Sequence, residues 1–453
     1  MRNSKKMSCL ISVLILLSML LASCTGGTPN ASPQTAAPSA ASTAATVSST
    51  AKPAETGGQV KTVNFYIAYT PGSVGTTPKE PISEAFNSAQ KEIKVNIHLM
   101  PNTEGYEDKM TVLMSSGGDV DAMTINGVKW LSVWGKLGVL EPLDDMIAKS
   151  GFDIEPYGPV FQASKIDGHF PALARRMQPW MLFYNRTILK KNGIEEPNGL
   201  TWEKYFEYCK KLSSGEGINR QYAQLWSSLT LTPYIFASQK QRYCLDDDVT
   251  PLADSLKIFN NMFNVDKTSL SLAEQKAMDT SAFEYFAAGK CAFYINGSWT
   301  IPFLVNKANN VQIDWGVDYL PIPAGGSVAE KTSIGGHTYI GIFNKSRDKE
   351  SAFKFISWFC GEEGGVVMAN NGTIPAYMNE VTKAAYMKNI KEATVNKAFE
   401  MNVMAELPMN ILTGQVTTIF AEESELYLIG EQSLEKTMAN FVKRRDELIK
   451  SKR

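Results

Sequence analysis

Histidine is almost missing from this chain. His98, His169 and His337 are the only three in 453 residues, and they stand far apart, without the spacing of a metal-ligating pair. Cysteine is scarce as well. Of six, Cys9 and Cys24 lie near the N-terminus, leaving Cys209, Cys244, Cys291 and Cys360. These form no Cys-x-x-Cys and no disulfide-scaffold density, which argues against a metal site and leaves room for one disulfide, Cys209–Cys244 being the candidate pair. Net charge is nearly absent at −1, so no global field draws the protein to nucleic acid or an acidic membrane. Long apolar runs are lacking too. Leu10 to Leu21 is 12 residues, short of the roughly 20 that a membrane-spanning helix needs. No internal repeat, nucleophile elbow or cofactor motif is present.

That short apolar run is informative by its neighbours. Arg2, Lys5 and Lys6 precede it and Ala22-Ser23 follow it, the layout of a secretory signal peptide over residues 1–23. The cut would leave Cys24 first, and Leu21-Ala22-Ser23-Cys24 resembles the lipobox of bacterial lipoproteins. The resemblance implies a diacylglycerol on the Cys24 thiol, with palmitate-type acylation anchoring the protein to the extracytoplasmic face of the cell membrane. The alternative is an ordinary secreted protein whose cut falls near a cysteine. Residues 25–59 are built almost wholly from Thr, Ser, Ala, Pro and Gly. Such a stretch buries too little to offset its ordering entropy. Residues 24–59 therefore read as a lipid-anchored disordered linker, with a root-mean-square reach of roughly 30 Å.

The remaining 394 residues, 60–453, are long enough for two cores. Val63–Ala68 and Ile93–Leu99 alternate as strands, and Val120–Ile125 reads as a third. Apolar periodicity marks helices over Pro81–Lys91, Tyr106–Ser115 and Trp130–Leu137. Further on, Thr201 is a good N-cap for a helix to Leu212, and Cys291–Ile295 is a strand that turns through Gly297-Ser298-Trp299 into another helix. Glu350–Phe359 and Glu431–Lys450 close the set of helices. Strands alternating with helices predict parallel sheets, with ligands beyond the carboxyl ends of the strands. That rule puts Tyr69, Thr70, Asn126 and Gly127 at the edge of a candidate site.

A run of landmarks then falls in a recognisable order. Gly117-Gly118-Asp119-Val120-Asp121 is followed by Gly138-Val139-Leu140-Glu141-Pro142-Leu143-Asp144, Phe183-Tyr184-Asn185-Arg186 and Thr201-Trp202-Glu203. Phe286-Ala287-Ala288-Gly289-Lys290, Asn296-Gly297-Ser298-Trp299 and Leu320-Pro321-Ile322-Pro323 come next. Gly335-Gly336-His337 and Gly372-Thr373-Ile374-Pro375 complete it. In this order the chain resembles family 1 extracellular solute-binding proteins, the sugar-capturing subunits of bacterial ABC importers, similar to maltose-binding protein. One departure is Val120, where the family has a proline. The resemblance implies an α/β, two-lobed periplasmic-binding-protein-like fold of type II, each lobe a mixed β-sheet flanked by helices, the hinge crossed three times, near Gln178–Met181, Ser333–Ile340 and Tyr377–Val381. Lobe one would be 60–178 plus 340–378, lobe two 180–333 plus 380–453. It also implies a monomer that takes no cofactor, partnered by transmembrane permease subunits and their cytoplasmic ATPase.

Sugars ask for aromatic plates against their C–H faces and planar polar groups for their hydroxyl rims. By the resemblance, Trp299 stacks on the ligand, with Ser298 and Gly297 offering backbone N–H groups at a helix start. Trp226 matches an aromatic cleft wall, the alternative being a core residue. Trp180 and Gln178 share a strand face beside the first crossing, and His337 sits at the second, able to bond a hydroxyl. Trp130 and Trp134, four apart on a helix, have core spacing. Arg175-Arg176 suits a uronic carboxylate or, as the plainer reading, solvent. Asp246-Asp247-Asp248 reads as a solvated acidic turn rather than a calcium loop.

The leading expectation is a non-catalytic receptor for a carbohydrate, an oligosaccharide by its aromatic content. The alternatives are the same fold holding a peptide, polyamine or phosphodiester, and a surface glycoside hydrolase. The hydrolase would need two carboxylates about 5–10 Å apart across a cleft, and Glu84, Glu141 and Glu284 sit on helices or helix ends instead.

Overall fold

The computed structural model describes residues 60–69, 79–101, 105–216, 220–226, 234–278, 280–306, 311–323 and 325–452. The side chains of residues 69, 79, 80 and 328 are excepted. The signal-peptide segment, Cys24, the linker and Thr70 therefore lie outside the described residues, as does the side chain of Tyr69. Among the described residues no helix is long and apolar enough to cross a membrane.

Nine strands carry the architecture: β1 (Lys61–Tyr69), β2 (Ile93–Pro101), β3 (Ala122–Ile125), β4 (Leu173–Asn185), β5 (Gln224–Trp226), β6 (Phe293–Gly297), β7 (Trp315–Tyr319), β8 (Thr332–Ile342) and β9 (Asn402–Ala405). The alternation of Val63, Phe65 and Ile67 with more exposed neighbours makes β1 a strand with one face in the core, and Val95 and Ile97 of β2 follow suit. β1 pairs in parallel with β2 and β3. The expectation of parallel sheets holds only there and for β5–β6 and β8–β9. β3 runs antiparallel to β8, and β4 antiparallel to β6, β7 and β8, so the sheet is mixed. The antiparallel members arise because β4 and β8 are not units of a strand–helix–strand repeat but long strands that return along their neighbours.

β4 links the two halves of the fold. Its first part, from Leu173 to Pro179, pairs with β8, and from Trp180 to Tyr184 it pairs with β6. The change of partner falls at Pro179, which has no N–H to give to a ladder. On one side, β1–β3, β8 and the helix Lys349–Cys360 enclose a core around Phe65, Phe355 and Phe359. On the other, β4–β7 and the helix Trp202–Leu212 enclose Trp202, Tyr205, Trp226 and Phe293. Thr201 caps that helix as expected, its hydroxyl accepting from the Lys204 N–H. A third core joins the helices Thr250–Asn260, Thr413–Leu428 and Leu434–Ser451 through Leu256, Phe420 and Phe441. Cys209, Cys244, Cys291 and Cys360 are all buried and free, which removes the candidate disulfide.

Candidate functional site

Between the turn after β3 and the C-terminal helices lies a cavity of about 500 Å³. One wall is Asn126, Gly127, Val128 and Lys129, at the carboxyl end of β3 where the sheet rule placed a ligand. The facing wall is Glu406, Leu407 and the helix Thr413–Leu428, and Tyr234 and Leu272 complete the lining. The walls meet where the aliphatic stem of Lys129 crosses Gly414. A Cβ on that glycine would lie 2.4 Å from Lys129 Cε, so a larger residue there would displace the lysine stem.

Glu406 is the most constrained group in this cavity. Its N–H donates to Gly335 O at 2.9 Å, and its carbonyl accepts from Ser238 Oγ at 2.9 Å. Trp180 Nε1 donates to its Oε2 at 2.7 Å. Burial raises the carboxyl above the usual glutamate range, against a smaller opposing effect of the Trp180 bond. Tyr234 is 3% exposed and its hydroxyl has no hydrogen-bond partner among the described residues. Beside Asn126 and off the cavity lining, Glu107 is also raised by desolvation, opposed by hydrogen bonds, one of them with Asn126, and by Lys129.

A second, much narrower opening, with about 10 Å³ of free space, lies beside the β4 crossing. Arg176, Gln178, Ser298, Trp299 and Thr373 line it. Trp180 bridges residues of the two openings. Its ring meets Trp299 edge-to-face at 5.5 Å, while its N–H reaches Glu406. Asn126 thus lies on the larger cavity and Gln178, Ser298 and Trp299 on the narrow opening, while Trp180, 2% exposed, lines neither.

Other expected residues are placed elsewhere. Trp226 is 1% exposed, spends its indole N–H on Gln224 Oε1 and stacks on Trp202 inside the second core. It lies there because β5, an edge strand of only three residues paired with β6, is covered by the helix that carries Trp202. His337 is 1% exposed, packed edge-on to Phe161 and Tyr339, and neither ring nitrogen has a partner among the described residues. Burial lowers its pKa to about 3. Ser298 does not offer its N–H to a ligand, because that group donates to Pro179 O at 2.9 Å, and the helix it precedes, Thr300–Val305, is a single short turn and a half. Gly297 has a different role. A Cβ there would fall 1.8 Å from Trp299 Cζ3, so its bare backbone is what lets the Trp299 ring lie back over the turn.

Trp134 is core, its N–H on Thr111 Oγ1, and Trp130 leans on it at 5.7 Å. Arg175 and Arg176 are not a solvated pair. Arg175 is 1% exposed and Arg176 is half-buried with its Nε unpartnered among the described residues. The bulge at this point of β4 brings both inward. Asp246 and Asp248 accept the N–H groups of Tyr243 and Thr250, as an acidic turn does, and no group of metal-binding side chains occurs among the described residues.

Glu406, Tyr234, Lys129 and the helix Thr413–Leu428 were absent from the sequence reading. Ala405-Glu406-Leu407-Pro408 carries no motif, and only the pairing of β9 with β8 brings it to the cleft.

Two lobes sharing a strand, with a cavity between them, define the class of periplasmic binding proteins. The model of the bacterial extracellular solute-binding protein family matches residues 70–366, and the chain belongs to that family. It is similar to the sn-glycerol-3-phosphate-binding periplasmic protein UgpB of Agrobacterium fabrum, at 23% identity over 349 residues, 70% of this chain and 76% of that one. In fold it resembles an ABC substrate-binding protein of Listeria monocytogenes in complex with cycloalternan. The TM-score is 0.72 at 20% identity, over 86% of this chain and 99% of that one. It also resembles maltose-bound MalE3 of T. maritima, with a TM-score of 0.70 at 19% identity over 85% and 100% of the two chains.

Proposed function

We propose that this protein is the non-catalytic receptor of an ABC importer, capturing a carbohydrate in the cleft and delivering it to the permease. The observation that carries the reading is the cavity of about 500 Å³ between the carboxyl end of β3 and the helix Thr413–Leu428. The volume suits a ligand of one to a few rings, and Trp299, at the neighbouring narrow opening, is the kind of residue that pyranose faces pack on. The names of the cycloalternan and maltose complexes among fold relatives favour sugars. Cys24, lipid-modified after signal cleavage, would hold a monomeric receptor at the extracytoplasmic face, close to the permease and at high effective concentration. Lobe one is then 60–178 plus 340–378, and lobe two 180–333 plus 380–453.

A thermal-shift panel of mono-, di- and oligosaccharides tests the reading, with uronides, sn-glycerol 3-phosphate, peptides and polyamines alongside. A true ligand at 100 times its dissociation constant stabilises the fold by about 2.7 kcal/mol. Stabilisation by a non-sugar alone would overturn the carbohydrate reading, and release of reducing sugar by the purified protein would overturn the receptor reading. Cys24→Ala is expected to leave affinity intact while lowering uptake in cells; equal loss of both would refute the anchor's separate role.

A further inference from the structure

The carboxylates of the cavity differ in what surrounds them. Glu422 pairs with Arg444 and Glu425 with Lys276, so each already has a cation. Lys129, on the opposite wall, acts on Glu107. Glu406 has no ion pair among the described residues. Its Oε2 is taken by Trp180, while Oε1 has no donor among the described residues and Glu406 lines the cavity. Tyr234, almost wholly buried on the same lining, has a hydroxyl with no partner among the described residues. An ionised carboxylate accepts hydrogen bonds only, and a buried tyrosine hydroxyl needs a partner. The cavity lining thus holds a carboxylate with one oxygen that receives no donor and a buried hydroxyl without a partner, both among the described residues. A neutral ligand bearing several hydroxyls satisfies both. A phosphate or carboxylate set against Glu406 would meet like charge in a poorly solvated site, where repulsion is strong.

We propose that Glu406, with Tyr234, selects the charge of the ligand: the cavity takes neutral polyhydroxylated sugars and rejects anionic solutes such as uronides and glycerol phosphate. The assignment rests on the carbohydrate-receptor reading and adds a specificity-determining residue to it. The three bonds that fix the backbone and Oε2 of Glu406 place Oε1 before any ligand arrives, so little ordering cost opposes recognition.

The test is calorimetric titration of the purified protein with the best neutral saccharide of the panel, the corresponding uronide and sn-glycerol 3-phosphate, in wild type and in Glu406→Gln and Tyr234→Phe. Wild type is expected to prefer the neutral sugar over both anions. Glu406→Gln is expected to weaken the neutral sugar about tenfold, because charge-assisted bonds are roughly twice as strong as neutral ones, and to narrow the gap to the anions. Tyr234→Phe, which keeps the ring and its packing, is expected to weaken the neutral sugar several-fold with an unchanged melting temperature. A uronide preferred by wild type and lost in Arg176→Ala would move recognition to the narrow crevice and overturn this inference alone. Unchanged preference in both Glu406→Gln and Tyr234→Phe would overturn it too. No response to any saccharide, neutral or acidic, would sink the receptor reading and the inference together.

Discussion

At the scale of single residues, His337 shows how burial changes the role of a side chain. In sequence it follows two glycines and looks free to reach a ligand. In the fold it is a strand residue paired with Met177 and enclosed by Phe161 and Tyr339. Desolvation lowers its pKa to about 3 from 6.5. The sign of the consequence is fixed. The unfolded chain takes up a proton as pH falls below about 6.5, and the folded chain does not until about 3. The stability His337 contributes is therefore whole above 6.5 and lost progressively down to 3, at up to about 1.4 kcal/mol per pH unit. His337→Phe keeps an aromatic ring in the slot and removes the proton site. Urea denaturation of wild type and variant between pH 6.5 and 4 is expected to show a shallower acid-side decline for the variant; parallel curves would contradict the buried neutral imidazole. Trp226 teaches the same lesson. Its local sequence fits a cleft wall and a core plate equally well, and only the stacking of Trp202 decides.

Elements differ in how far they can be read. β1, β2 and the helix Tyr106–Ser115 were legible because one face of each is apolar and the other is not. The helix Thr413–Leu428 was not, because its buried positions include Thr413, Gly414, Glu423 and Ser424 beside Val416, Phe420 and Leu428. Polar residues on the inner face erase the period, and their partners on Glu423 come from elsewhere: Arg444 from the next helix and Gln432 from the turn before it. β4 is opaque for the opposite reason, being buried on both faces over most of its length. The segment Ala393–Phe399, just upstream of β9 and Glu406, is held against β7 by several polar bonds. Thr394 Oγ1 accepts from the Val317 N–H, and Lys397 Nζ meets Asp318 Oδ1 at 2.6 Å with the carboxylate fully buried. Lys397→Met is expected to cost about 3–5 kcal/mol, because Asp318 would stay buried with the Gly199 N–H as its remaining donor. Chemical denaturation measures it, and a loss under 1 kcal/mol would show that the pair is not a structural latch.

For the whole molecule, three of the four apolar cores among the described residues draw on one connected set of nine strands, and the fourth is built by helices. Residues Gly58–Arg453 accordingly form one compact unit. Calorimetry is expected to give a single unfolding transition whose calorimetric and van't Hoff enthalpies agree, since neither lobe keeps its sheet once β4 is lost. Two resolved transitions would contradict that coupling. β4 itself leads to a final point. A strand that serves one sheet as far as Pro179 and another from Trp180 means that neither lobe is written as one continuous passage of sequence. Severing the chain after the helix Arg186–Lys191 that follows β4 would not release two independent bodies but two incomplete fragments, each carrying pieces of the other's sheet. Such fragments regain a ligand site only by finding each other, which makes this fold suited to split-protein sensing of the solute it carries.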